Sequence, residues 1–196
     1  MADIIHKWHR RTIRLQSYDY TQNGAYFLTI CTHQREHLFG EVAEGMMQLS
    51  EFGHIVTECW DAIPHHFPHV ECDAFVVMPN HIHGILVIVD APKRDHLTAD
   101  VPVGAQHAAP LQTTNRTNLR PKVAPGSLGA IVRSFKSAAT KGINHLREVE
   151  GASVWQKNYY ERVIRDESEL NATRTYIQNN PLHWSDDREN LPLDER

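Results

Sequence analysis

Two histidines separated by one residue, His81 and His83, stand in MPNHIHGILVI, directly after the turn signal Pro79-Asn80. On a strand, residues two apart project from one face, so two imidazoles would lie side by side with Ile82 turned away. Such a pair can hold one divalent cation; two ordinary strand histidines are the competing description. Gly84 follows, which reads as room for a ligand backbone to approach. A cation needs further ligands. His65, His66 and His69 lie in PHHFPH and read as part of a solvated connector. The late segment TYIQNNP offers Tyr176 and Asn180 at i, i+4, on one helical face flanking the stripe of Leu170 and Ile177. A packing tyrosine and a C-cap before Pro181 are their plainer roles. No carboxylate stands at a convincing spacing from the histidines, which counts against a small metal-dependent hydrolase.

The elements that must position these residues are legible in outline. AYFLTICT over 25–32 is rich in aromatic and β-branched residues and predicts a strand. Ser50 caps a helix to about Ile63, with Phe52, Ile55, Val56, Cys59, Trp60 and Ile63 on one stripe, and Pro64 stops it. AFVVM (74–78) and IHGILVIV (82–89) predict a hairpin through the middle of a sheet. Residues 91–125 hold five prolines, no aromatic residue and no periodicity, and read as an insertion. Ser127 caps a second helix burying Leu128, Ile131, Val132, Phe135, Ala139, Gly142, Ile143 and Leu146. Residues 153–164 read as extended, and Asp166 with Glu169 opens a last helix to about Asn180. The order β-α-β-β-α-β predicts an α+β, ferredoxin-like antiparallel sheet with one additional C-terminal helix, the one carrying Tyr176. That fold hosts many activities, so function has to come from the site.

The chain has 196 residues, 41% hydrophobic and 22% charged, a globular balance with no apolar run long enough for a membrane span. Three cysteines, Cys31, Cys59 and Cys72, are odd in number and widely spaced, against a disulfide framework and in keeping with a cytoplasmic protein. The net charge of −4 hides two local fields. A basic arm within residues 1–24 carries Lys7, Arg10, Arg11 and Arg14, and an acidic tail occupies 183–196. Those four cations, with Arg133 and Lys136 on the expected exposed face of the second helix, are the candidate phosphate contacts. The tail is expected to be mobile and solvated, with Trp184 anchoring its start.

Taken together, His-hydrophobe-His on a central strand, a late-helix tyrosine and an asparagine four residues on, followed by proline, resemble the single-tyrosine HUH transposases, and among them the REP-associated tyrosine transposases. YFLTICTHQREHLFG, FVVMPNHIHGILVI, SLGAIVRSFKSAAT and VWQKNYYERVIRDESELNATRTYIQNNP carry the likeness over about residues 12–182, apart from the insertion. The resemblance implies a transposase domain over 25–182 that nicks and transfers single-stranded DNA. Tyr176 would be the nucleophile, forming a 5′-phosphotyrosine. His81 and His83 would hold Mg²⁺ or Mn²⁺, with Asn180 as a third, amide-oxygen ligand. Single-stranded or hairpin DNA would be the partner, and a homodimer stays open. The rival description is a non-catalytic nucleic-acid-binding module of the same fold, stacking bases on Tyr26 and Phe27.

Overall fold

The computed structural model describes residues 22–89, 124–187 and 189–190. Lys7, Arg10, Arg11 and Arg14, and nearly all of the 91–125 insertion, lie outside the described residues.

Four strands, β1 (Gly24–Cys31), β4 (Val70–Met78), β5 (His81–Ile88) and β6 (Tyr160–Ile164), form one antiparallel sheet in the order β4-β5-β1-β6. This is the ferredoxin-like arrangement expected from the element order. Only β5 of the central hairpin is an interior strand; β4 lies at the edge. A small second hairpin, β2 (Gly40–Ala43) and β3 (Met46–Leu49), was not anticipated; its strands are only four residues long, too short for a period-2 pattern to declare itself.

Alternation splits the sheet into two faces. Tyr26, Leu28, Ile30, Ile82 and Leu86 point to one side. There they meet Val56 and Trp60 of α1 (Glu51–Asp61) and Ile131, Phe135, Ala139 and Ile143 of α3 (Leu128–Leu146) in the main core. Ser50 caps α1, its Oγ accepting from the Gly53 N–H at 3.2 Å while donating to the Leu38 carbonyl at 2.8 Å. A one-turn helix, α2 (Ile63–His66), follows, with His65 and His66 exposed as a solvated connector requires. Gly84 sits on this core face: a Cβ there would lie 2.4 Å from the Trp60 ring. Its missing side chain makes room for an indole of the core rather than for a ligand. Leu146, expected on the buried stripe of α3, is the last residue of the helix and is 44% exposed.

The opposite face carries Phe27, Thr29, Cys31, His81, His83 and Ile85. It is covered by α4 (Glu167–Asn179), seated through fully buried Ile177 against Phe27, Ile85 and Ile164. Asp166 caps α4, its carboxylate accepting from the Glu169 N–H at 2.8 Å, and Glu169 reaches back to the Arg165 N–H at 2.9 Å. An Asp73–Arg174 ion pair at 2.6 Å ties α4 to β4. The chain continues as a 3-10 helix over Asn180–Asp186. No helix among the described residues is long and apolar enough to cross a membrane.

Candidate functional site

Strand β5 turns both imidazoles to the α4 face, where their Nε2 atoms stand 3.1 Å apart. The Tyr176 hydroxyl lies 3.2 Å from His83 Nε2. It is held there because its neighbour Ile177 is locked in the smaller core and the ring meets Phe27 edge-on at 6.0 Å. Three residues far apart in sequence are thus brought together by one register: Thr29 pairs with His83 across the sheet, and the helix crosses above them.

Each imidazole is oriented from behind. Asn80 Oδ1 accepts from His81 Nδ1 at 2.8 Å, and the amide is fixed by its Nδ2, which donates to the Glu189 carbonyl at 2.9 Å. Nε2 is therefore the ring nitrogen of His81 that faces the site. Thr29 Oγ1 lies 2.9 Å from His83 Nδ1. Burial pushes the His83 pKa down to about 3, opposed by a backbone hydrogen bond to Leu28. His83 is a neutral imidazole at pH 7, the form that ligates metals.

Asp187 is the residue that sequence reasoning missed. Its side chain is 7% exposed, its Oδ2 lies 3.9 Å from His81 Nε2, and with the two histidines it forms a cluster whose ligand atoms all fall within 4.8 Å of one another. It comes from the segment expected to be a solvated tail. Trp184, Asp187 and Glu189 instead pack on the site: Trp184 lies against His37 and His81, and Glu189 pairs with Arg35. Asn180 is buried, as its Nδ2 donates to Asp187 Oδ2 at 3.2 Å while its Oδ1 has no hydrogen-bond partner among the described residues. An orphaned buried carbonyl costs about 1–3 kcal/mol. Two imidazoles, a carboxylate and a spare amide oxygen form a donor set that fits a hard or borderline divalent cation.

The Tyr176 phenol has its pKa raised, first by partial burial and then by the negative charge of Asp187, while a hydrogen bond from Asn180 works the other way. Without a cation the site holds it protonated. Beside it opens a cavity of about 900 Å³, floored by Phe27 and His83 and walled by Tyr159, Tyr160 and Arg162. Arg162, also absent from the sequence expectations, stands opposite Phe27 with its guanidinium 5.9 Å from the ring and its side chain 47% exposed. Its alternation with buried Glu161 along β6 was the signal that could have found it. Tyr26, proposed as a stacking platform, is fully buried in the main core, its hydroxyl donating to the Gln22 carbonyl. Arg133 and Lys136 lie on α3, away from the imidazoles. Arg133 is exposed as expected, but Lys136 is half-buried and donates to the Gln156 carbonyl at 2.6 Å.

The geometry can be set beside known proteins. No family model matches the sequence. An uncharacterized protein of Haemophilus influenzae (strain Rd) is 42% identical over 180 residues, spanning 92% of each chain. The chain belongs to that protein's family. A structure of a REP-associated tyrosine transposase bound to a REP hairpin superposes with TM-score 0.53 at 17% identity, over 88% of this chain and 74% of that one. The fold is that of a tyrosine transposase. A candidate transposase of Deinococcus radiodurans R1 is similar at TM-score 0.42 and 16% identity, over 86% of this chain and 97% of that one. In the transposase fold of the present chain, the residues converging on the sheet face below α4 are His81, His83, Asn180, Asp187 and Tyr176.

Proposed function

We propose that this chain cleaves and rejoins single-stranded DNA beside a hairpin, carrying the cut strand covalently on Tyr176. The observation that carries this reading is the approach of a half-exposed tyrosine hydroxyl to the neutral His83 of a buried imidazole pair, on the wall of a cavity large enough for nucleotides. Tyr176 attacks the phosphorus of a phosphodiester; the bond to the 3′ oxygen breaks; that oxygen leaves as a 3′-hydroxyl, and the 5′ phosphate stays on the tyrosine. Attack by another 3′-hydroxyl reverses the step, and the conserved phosphoester count means no nucleotide cofactor is consumed. His81, His83, Asp187 and Asn180 would hold Mg²⁺ or Mn²⁺. When bound, that ion offsets the charge gathering on the phosphate and cancels the Asp187 field that disfavours the phenolate. Tyr159 and Tyr160 offer ring faces to unstacked bases, and Arg162 offers a cation to a phosphate. Because Tyr176 meets the histidines of its own chain, a second copy is not needed to complete the site.

Incubating a labelled single-stranded oligonucleotide carrying a hairpin with the protein and Mn²⁺, then running a denaturing protein gel, tests the reading. A label that migrates with the protein in wild type and not in Tyr176→Phe supports it. Asp187 gives a second reading substance, since it supplies the carboxylate that a metal-dependent phosphodiesterase would need. Cleavage that persists in Tyr176→Phe, with no adduct, would select that alternative.

A further inference from the structure

The sequence from 124 to 147 contains Arg133, Lys136, Lys141 and Arg147 and no aspartate or glutamate, in a chain whose net charge is −4. The next cation, Lys157, lies in a stretch, 151–160, that is equally free of acids. The fold brings these stretches together. Helix α3 and the extended segment 151–157 enclose an open groove of about 570 Å³ lined by Lys136, Ser137, Lys141, Asn144 and Lys157. Arg133, Ser137 and Lys141 follow at i, i+4 and i+8, so they form one exposed stripe along its edge. Lys136 fixes the opposite wall by donating to the Gln156 carbonyl at 2.6 Å, and Asn144 does the same at Ala152 at 3.0 Å.

Two features say what such a groove would hold. It offers no aromatic face, since Trp155, the one ring in its lining, is 7% exposed, so it lacks the platforms that unstacked bases use. It also adjoins the candidate site: Gln156 lines both this groove and the cavity that holds Tyr176, where the aromatic side chains are. Charge without rings suits the outward-facing phosphates of paired DNA; rings without a run of lysines suit the unpaired flank.

We infer that the α3–Lys157 groove seats the sugar–phosphate backbone of a DNA duplex stem, whose single-stranded flank passes Gln156 into the Tyr176 cavity. This rests on the DNA-cleaving reading above and adds to it a binding surface on a different part of the molecule. Lys141 and Lys157 are its principal contacts, with Arg133 extending the track. Glu148 and Glu150, in the turn after α3, mark the end at which phosphates are no longer favoured.

The test uses the full chain and two fluorescent oligonucleotides: a hairpin with a single-stranded flank, and the flank alone. Anisotropy titrations over a range of salt are made for wild type and for the double variant Lys141→Gln, Lys157→Gln, with thermal melting as the control for folding. Each lost phosphate contact reduces the salt slope by about 0.9, so the double variant flattens the hairpin slope by about 2 and weakens hairpin binding at least about tenfold at about 0.1 M salt. Binding of the flank alone changes less than about twofold. An unchanged hairpin slope overturns the inference, and so does an equal loss for both oligonucleotides, which would make the groove a single-strand channel. An absent Tyr176 adduct with a flattened hairpin slope defeats the cleavage reading and leaves the groove standing; an adduct with an unchanged slope does the reverse.

Discussion

Replacing Asp187 with asparagine keeps the shape of the side chain and removes its charge, and the structure gives that change two effects of opposite sign. With metal removed, Asp187 is the second cause, after burial, of the raised Tyr176 pKa, so Asp187→Asn lets the phenol ionise at lower pH than in wild type. With metal present, the same substitution removes an anionic ligand. A unit positive charge at the 3.9 Å that separates Asp187 Oδ2 from His81 Nε2 is worth about 4 kcal/mol at an effective dielectric of about 20. Desolvating the carboxylate returns part of this, which leaves about 2–3 kcal/mol, or a loss of about 30- to 160-fold in cation affinity. Calorimetric titration with Mn²⁺ reads the affinity. Phenolate absorbance, taken as the difference between each protein and its Tyr176→Phe counterpart, isolates one tyrosine of the six in the chain. Mn²⁺ affinity within twofold of wild type, with an unmoved phenol titration, would refute the placement of Asp187 in the site.

Gly84→Ala should cost about 3 kcal/mol in urea unfolding, the upper end for overpacking. The added carbon falls 2.4 Å from a Trp60 ring that is stacked on Phe75 and cannot retreat, and a loss below about 0.5 kcal/mol would show that the core yields. In chelator, stability should fall as pH is lowered from 7 to 5. Unfolded His83 takes its proton near pH 6.5 and the folded residue only near about 3, so the unfolded chain binds more protons between those values. The loss from this group is about 2 kcal/mol over that step, and His83→Gln should flatten the profile by that amount.

How far the sequence carried the account can be judged residue by residue. Strand and helix periodicities located the four strands of the main sheet and the helix that bears Tyr176, because each buries a regular apolar face; the β2–β3 hairpin, which has none, was missed. The two-residue spacing of His81 and His83 and the four-residue spacing of Tyr176 and Asn180 are local facts, and the structure brings all four together. Asp187 lies beyond the end of α4, where the chain bends at His183 with no regular period, and its surroundings of acids read as solvated tail. Only the tertiary contacts of Trp184 and Glu189 turn that segment inward. Gly84 misled for a related reason: alternation fixes which face a residue occupies, but not that an indole from α1 waits on that face. Lys136 was placed on an exposed helix surface, and the segment that covers it is extended and aperiodic.

The most direct test of the central claim is to map the covalent link itself. After reaction with a hairpin oligonucleotide and Mn²⁺, nuclease trimming and trypsin digestion release the peptide from Thr175 to Arg188, which contains Tyr176 as its sole tyrosine. Mass spectrometry should find that peptide carrying a nucleotide 5′-phosphate on Tyr176, absent when the metal is chelated. A nucleotide on Tyr159 or Tyr160 instead, or complete DNA cleavage with no modified tyrosine, would contradict the account.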